Sequence, residues 1–109
     1  MNNRASLNLT ALTPLSLSLS GVMDEFTVLS VLQQGCDVID RAPSQAVLRV
    51  DLQGVISADS AGLALLLEWA RYAKKQDKKL HLYHLPTVME QIMLVSSLSE
   101  VLQIDGDNA

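Results

Sequence analysis

A strand, a helix and a second strand follow one another between residues 46 and 85, and this order constrains the fold more than any other feature. The run "AVLRVDL" at 46–52 has the apolar, β-branched character of a buried strand. A helix is predicted from about Ser60 to Gln76, and "KKLHLYHL" at 78–85 is the next strand. Strands joined by a crossover helix in one sheet are parallel. The chain is therefore expected to contain a parallel βαβ unit.

Two strands and a helix are predicted before this unit, and one helix after it. Apolar and polar residues alternate from Leu7 to Leu19, interrupted by a turn at Pro14, which predicts two half-buried antiparallel strands. A helix is expected to begin at Asp24, a good N-cap residue. Pro86 suits the first turn of the last helix. The order β-β-α-β-α-β-α describes an α/β fold, a mixed sheet carrying helices.

Length and charge narrow the class of protein. The 109 residues fit a single domain, 1–109, with frayed ends expected at about 1–5 and 104–109. The net charge of −4 argues against a nucleic-acid partner, because phosphate binding needs clustered cations. No apolar run approaches the roughly 20 residues of a membrane span, and no secretory signal is visible. A soluble, cytoplasmic protein without a membrane span of its own is predicted.

Few residues support a catalytic or metal site. His81 and His84 are three residues apart on a predicted strand, so they should point to opposite faces, and a third ligand is not evident. The lone Cys36 is expected to be a small core residue. The sequence shows neither a glycine-rich phosphate loop nor a nucleophile with an evident base. We therefore expect a non-enzyme with no catalytic residue, no metal and no cofactor.

The strand-to-helix junction "DSAG", at 59–62, admits two interpretations. Asp and Ser side chains satisfy the unpaired N–H groups of a helix start, so capping alone would explain Asp59 and Ser60. Ser60→Ala is then expected to cost at most about 0.5–2 kcal/mol. The same placement also exposes the Ser60 hydroxyl to a partner or a kinase. Phosphorylation there would add close to two negative charges beside Asp59 and abolish a docking surface.

The first predicted helix has more apolar surface than one sheet needs. Two apolar stripes run along the first helix: Phe26, Leu29, Leu32, Cys36 and Ile39, and beside them Val28, Val31 and Val38. Their joint arc is wider than the roughly 100° that packing on a sheet requires, which a partner surface or a core wrapped around the helix would explain equally. On the second helix, Leu65, Trp69 and Tyr72 lie beside the sheet-facing side. Trp69 either anchors an interface or fills the edge of the core.

The predicted docking surface combines the junction with the exposed side of both helices. It consists of Asp59, Ser60, Ala61, Val28, Val31, Leu65 and Trp69. Ser60 is also the candidate phosphorylation site. Ser60→Asp or Ser60→Glu is expected to weaken docking while the fold persists, because the added charge stands where a partner has to dehydrate the surface.

The segment at 50–85 resembles the centre of a STAS domain, the fold named for sulphate transporters and anti-sigma-factor antagonists. That family carries a strand with an acidic end, then Asp-Ser or Asp-Thr, a small residue, Gly and Leu. The run "DSAGL" at 59–63 and the preceding Asp51 match those positions. Gly21 and Asp24 fit the Gly-x-x-Asp turn typical after the second strand. Val22 departs from the family, which often has an acidic residue after that glycine.

The resemblance covers roughly residues 15–103 and is greatest for the short STAS subunits of ABC phospholipid transporters, through the runs "GLALLL" and "AKKQ". It implies a subunit that binds and supports the ATPase subunit and, through it, joins the membrane permease complex at the inner membrane. Such a transporter maintains outer-membrane lipid asymmetry. The alternative is an anti-sigma-factor antagonist switched by phosphorylation of Ser60. A third, weaker alternative is a STAS module that binds a nucleotide or a lipid.

Overall fold

The computed structural model describes residues 6–96 and 103–104, with side chains from 6 to 91. The elements are β1 (Leu7–Thr13), β2 (Ser16–Met23), α1 (Val28–Arg41), β3 (Val47–Ala58), α2 (Ser60–Lys74), β4 (Lys79–Tyr83), α3 (Thr87–Ser96) and β5 (Gln103–Ile104). The predicted order is confirmed, and a two-residue strand follows it. Of the ends predicted to fray, residues 1–5 and 105–109 lie outside the described residues, whereas Ile104 pairs with Leu82.

The strands form one sheet in the order β1-β2-β3-β4-β5. β1 and β2 are antiparallel, with Leu9 opposite Leu19. The other neighbours are parallel, with Val50 opposite Leu82 between β3 and β4. Both predicted strand directions are confirmed. Crossovers between parallel neighbours are right-handed in nearly all proteins, and this places α1 and α2 on the same face of the sheet.

One face of the sheet is buried under the helices and the other is open. Along β2, β3 and β4, buried aliphatic side chains alternate with more exposed ones. On the open face, the Arg49 guanidinium lies over the Tyr83 ring, 4.0 Å from its centroid. The largest fully buried side chains are Trp69, Leu17, Leu19, Met23, Ile39, Leu48, Leu52, Leu66, Leu82 and Met89. Burial of apolar surface, at about 25 cal/mol per Å², therefore stabilises mainly the layer between sheet and helices.

β3 is longer than the predicted 46–52 and extends to Ala58. Its register against β2 shifts twice, with an extra residue in β3 each time. Such bulges bend a strand and increase its twist. The strand then delivers Asp59 to the end of β2, where the Asp59 N–H donates to the Met23 carbonyl oxygen at 3.1 Å.

α1 begins at Val28, not at the predicted Asp24. The Asp24 carboxylate instead caps a turn before the helix, where it accepts a hydrogen bond from the Thr27 N–H at 3.0 Å. The preceding Gly21 has a φ of +109°, and a β-carbon there would lie 2.1 Å from the Ser6 carbonyl oxygen. Glycine is required at that position. Because the chain forms this turn after Gly21, α1 begins four residues later than predicted, at Val28.

Candidate docking groove between the first two helices

The start of α2 lies at the carboxyl end of β3, beside the end of β2. Asp59 is the N-cap residue, and its Oδ1 accepts a hydrogen bond from the Ala61 N–H at 2.8 Å. Ser60 is the first residue of the helix; its side chain is exposed, and within the described residues its hydroxyl forms no hydrogen bond. Gly62 fits tightly against Met23, where a β-carbon would lie 2.9 Å from the Met23 Cβ. Asp59 therefore caps the helix, and the expected capping role of Ser60 is wrong.

A groove, called here the α1/α2 groove, runs between the N-terminal halves of the first two helices. It has a volume of about 320 Å³ and is lined by Glu25, Val28, Leu29, Leu32, Ala61, Ala64, Leu65 and Glu68. Its lining is aliphatic except for the two glutamates. Ser60 immediately precedes one of the lining residues, so the phosphorylation candidate adjoins the groove.

Large apolar side chains are exposed around this groove. Leu29 is 73% exposed, and the neighbouring Phe26, in the turn before α1, is 84% exposed. Contiguous exposed apolar surface is a marker of interaction sites. A core wrapped around the helix therefore explains part of the wide apolar arc of α1, and the partner surface stays a prediction for the rest. Val31, Val38 and Ile39 belong to the core, while Leu29 remains available to a partner.

The structure brings together part of the predicted docking surface. Val28, Ala61 and Leu65 line the groove, and Asp59 and Ser60 adjoin it. Val31 and Trp69 are wrong as surface residues, because each is 1% exposed. Leu65 is 4% exposed, so it contributes only to the floor of the groove.

Trp69 fills the core between the two helices, as the second interpretation of this residue predicted. Its indole lies against Gly35, where a β-carbon would be 2.1 Å from the ring. Its Nε1–H donates to the Leu32 carbonyl oxygen at 3.0 Å. A tryptophan that is buried and fully hydrogen-bonded has no surface for a partner.

A polar network closes the C-terminal half of the helix pair. The Tyr72 hydroxyl and the Gln76 amide both donate to Oδ1 of Asp40, at 2.8 Å and 3.0 Å. The buried Lys78 ammonium donates to the Ile39 carbonyl oxygen at 2.6 Å. The hydrogen bond to Asp40 raises the pKa of Tyr72 above its ordinary value. These bonds hold the C-terminal end of α1 against α2, and this end of the pair is called here the closed end. The N-terminal end, which contains the α1/α2 groove, is called the open end.

Five groove residues are absent from the predicted docking surface: Glu25, Leu29, Leu32, Ala64 and Glu68. Leu29 and Leu32 belong to the apolar stripe recognised in the sequence, so a signal existed for them. Helical spacing does not say which edge of an over-wide stripe faces the solvent. For the two glutamates, the only available signal is sequence position: Glu25 precedes Phe26 of that stripe, and Glu68 precedes Trp69 on the second helix.

The histidines do not form a site together. His84 lies beyond the end of β4 with a φ of 57°, and its Nδ1 is 2.9 Å from Oδ1 of Asp51. The expectation that both histidines lie on the strand is therefore wrong for His84, whereas His81 is within β4. In the part of the chain that the structure describes, no three His, Cys, Asp or Glu side chains come together to hold a metal.

Cys36 is partly buried and packs against the core. Burial, followed by the charges of three nearby carboxylates, raises the pKa of its thiol. The thiol is therefore protonated at neutral pH and behaves as a small apolar side chain. None of the described helices is long and apolar enough to cross a membrane.

The mixed sheet with its helices on one face, and the Asp-Ser-x-Gly junction at the start of α2, define a STAS domain. The family described as MlaB, STAS domain, matches residues 10–103, and the chain belongs to this family. Comparison with curated proteins gives no significant match.

Solved structures of STAS proteins have the same fold. An anti-sigma factor antagonist from Mycobacterium paratuberculosis gives a TM-score of 0.70 at 18% identity, covering 94% of this chain and 86% of that chain. A STAS domain protein from Planctomyces limnophilus gives 0.68 at 15% identity, covering 92% and 89%. The phosphorylated Bacillus cell fate determinant SpoIIAA gives 0.67 at 16% identity, covering 93% and 92%. At these identities the likeness establishes the fold alone.

Proposed function

We propose that this chain is the non-catalytic STAS subunit of an ABC phospholipid transporter that maintains outer-membrane lipid asymmetry, the Mla pathway. Membership in the MlaB STAS family is the observation that supports this proposal. In this role the chain binds the ATPase subunit and supports its assembly and activity. Through that subunit it joins the membrane permease complex and resides on the cytoplasmic side of the inner membrane.

The α1/α2 groove is the surface proposed for the ATPase subunit. Its lining combines a floor of buried Leu65 with the exposed side chain of Leu29. Apolar side chains that lose their water on docking, surrounded by polar groups, form the energetic centre of most interfaces. Ala61 and Ala64 have short side chains, which let a partner approach close to the backbone of α2.

Ser60 lies where its modification would act on this surface. Its exposed hydroxyl adjoins Ala61, a groove residue, and stands beside the capping carboxylate of Asp59. A phosphate or a Glu side chain at this position adds negative charge next to Asp59 and has to be dehydrated when a partner docks. We therefore expect Ser60→Glu to weaken docking without unfolding the domain.

The exposed Ser60 hydroxyl also supports a second candidate function, an anti-sigma-factor antagonist switched by phosphorylation. The similar fold of SpoIIAA has been solved in its phosphorylated form. A serine kinase needs a hydroxyl that it can reach, and the Ser60 hydroxyl is exposed at the first position of α2. The two functions share one surface and differ in the identity of the partner.

A mild-detergent pull-down from the native host separates the two functions. The tagged chain is captured, and mass spectrometry identifies its partners and the modification state of Ser60. Recovery of an ABC ATPase with its membrane subunits, and unmodified Ser60, would support the transporter subunit. Recovery of a serine kinase with partly phosphorylated Ser60 would support the antagonist and contradict the transporter proposal.

Variants in the same experiment test the surface itself. Leu29→Asp places a charge in the groove, where Leu29 is 73% exposed, and should abolish capture of the ATPase. Leu12→Asp is the matched control, because Leu12 is also exposed, at 61%, but lies at the end of β1 remote from the helix starts. Equal capture by both variants would show that the partner docks elsewhere.

A further inference from the structure

The Lys and Arg side chains of the described residues are unevenly distributed along the length of the helices. At the end where the helices begin, the described residues carry no Lys or Arg, only the carboxylates Asp24, Glu25, Asp59 and Glu90, and Glu68 follows in the middle of α2. The Lys and Arg side chains of the described residues lie toward the opposite end, where Asp37, Asp40 and Asp77 accompany them: Arg41, Arg49, Arg71, Lys74, Lys75, Lys78 and Lys79. A surface with one sign of charge attracts partners of the opposite sign and speeds their association.

Two of these carboxylates lie on the α1/α2 groove itself, one on each side. Glu25 precedes α1, and Glu68 is in the middle of α2. Glu68 is 3.5 Å from Arg71, but both side chains are 63% exposed. An exposed pair of this kind contributes little stability, so a partner's cation can replace Arg71 at small cost.

From these observations we infer that the groove takes an amphipathic α-helix of the ATPase subunit, with an apolar ridge flanked by Arg or Lys side chains that pair with Glu25 and Glu68. This inference rests on the proposed function and names the chemistry of the partner's docking element. It makes the two glutamates specificity-determining residues of the interface.

The shape of the groove favours a helix as the occupant. The lining consists of side chains from two neighbouring helices and the turn before the first, and it offers no strand edge for backbone pairing. An apolar helix face packs into such a groove through side chains at helical spacing. From Ala61 to Glu68 the groove follows α2 for about 10 Å, which is the length of two turns of a bound helix.

The same charges argue against a second copy of this chain as the occupant. In a two-fold dimer through the groove, Glu25 and Glu68 would face the equivalent carboxylates of the other copy. Like charges placed opposite one another across an interface oppose association. The groove of this acidic end is thus better matched to a cationic surface than to itself.

Binding kinetics at several salt concentrations test the inference. The ligands are the purified ATPase subunit and two synthetic helical peptides that share one leucine ridge, one flanked by arginines and the other by glutamates. The rim variant is Glu25→Gln with Glu68→Gln. Its matched control, Asp77→Asn with Glu90→Gln, makes the same change in net charge at exposed or partly exposed positions that do not line the groove. Asp77 has a φ of 60°, which asparagine also tolerates.

We expect the rim variant to bind the ATPase subunit with an association rate lowered about tenfold at low salt, and with a flatter salt dependence. The control should lose no more than about twofold, because charges away from an interface act only at long range. The arginine-flanked peptide should bind the wild-type groove, and the glutamate-flanked peptide should not.

The outcomes distinguish this inference from the proposed function. ATPase binding that is equally fast for the rim variant and the wild type would overturn the inference and leave the proposed function intact. Binding of the arginine-flanked peptide, with no binding of the ATPase subunit, would support the inferred chemistry and contradict the proposed function. If neither the ATPase subunit nor the arginine-flanked peptide bound, or if the chain associated with itself through the groove, the inference and the proposed function would both be overturned.

Discussion

The two ends of the α1/α2 pair differ in how completely they are packed. From the middle of the pair to its C-terminal end, Trp69 is 1% exposed against Gly35, and Lys78 donates to the last carbonyl groups of α1. At the N-terminal end, the same two helices leave a groove of about 320 Å³ beside Leu29, which is 73% exposed. The two helices therefore pack closely against each other at one end and leave an exposed apolar groove at the other.

The closed end provides the rigidity that the open end needs. Hydrogen bonds from Tyr72 and Gln76 to Asp40, and from Lys78 to Ile39, hold the helices at a fixed separation. A binding surface that is already in its bound shape loses less conformational entropy on docking. Packing at the C-terminal half of the pair thus holds the groove open, so mutations at the two ends should have different consequences.

The largest expected effect is at the closed end. Trp69→Ala should lower the free energy of unfolding by about 3–5 kcal/mol, because it leaves a cavity in the core and removes the bond to the Leu32 carbonyl oxygen. Leu29→Ala, at the open end, should change it by no more than about 0.5 kcal/mol while weakening partner binding. Urea unfolding measures the free energy of unfolding, and association with the proposed partner, the ATPase subunit, measures partner binding.

Should Trp69→Ala fail to fold, Trp69→Phe gives a graded result. It keeps an aromatic ring in the core but loses the Nε1–H donor, which leaves the Leu32 carbonyl oxygen without that partner and should cost about 1–3 kcal/mol. A loss of stability for Leu29→Ala as large as that for Trp69→Phe would break the distinction between the two ends.

Much of the fold follows from the sequence because its signals are local. The alternation from Leu7 to Leu19 predicts an antiparallel pair, and the strand, helix, strand order after residue 46 predicts parallel neighbours; both are confirmed. The start of α1 was wrong because Asp24 can cap a turn as readily as a helix. Whether Asp24 caps a turn or a helix depends on packing around Gly21, which the spacing of apolar residues in the sequence does not reveal.

The candidate site could be predicted only in part, since it depends on contacts distant in the sequence. Trp69 was correctly seen as a candidate for the core, but its partner Leu32 is 37 residues away. This bond and the packing against Gly35 bury Trp69, whereas Leu29, on the same helix as Leu32, stays exposed. The helix start at Asp59 and Ser60 follows from the sequence, because its capping chemistry is local.

A smaller effect is expected at the junction beside the open end. Asp59→Ala should cost about 1 kcal/mol of stability, because it removes the acceptor for the Ala61 N–H. Ser60→Ala should change stability by less than about 0.5 kcal/mol, since its hydroxyl forms no hydrogen bond within the described residues. Equal losses in urea unfolding would show that Ser60 also caps α2 and that its hydroxyl is not free for a partner.

The smallest expected effect is a pH dependence of the closed end. The hydrogen bond to Asp40 raises the pKa of Tyr72 above the ordinary value of 10.0. As the pH passes 10.0, the unfolded chain loses this proton while the folded chain keeps it, so the equilibrium moves toward the unfolded state. The stabilisation from the Tyr72 hydroxyl is thus fully present below that pH and is lost as the pH rises through the raised pKa.

Tyr72→Phe isolates this contribution. The difference in urea midpoint between wild type and Tyr72→Phe should be constant near pH 8, well below the ordinary pKa of 10.0, and shrink as the pH rises above 10.0. The chain has two tyrosines, so subtracting the absorbance titration of the variant from that of the wild type reports Tyr72 alone. A difference that grew with pH would mean that the folded state favours the ionised tyrosine. In that case the bond from Tyr72 to Asp40 would not close the helix pair, and the rigidity of the groove would depend on Trp69 and Lys78.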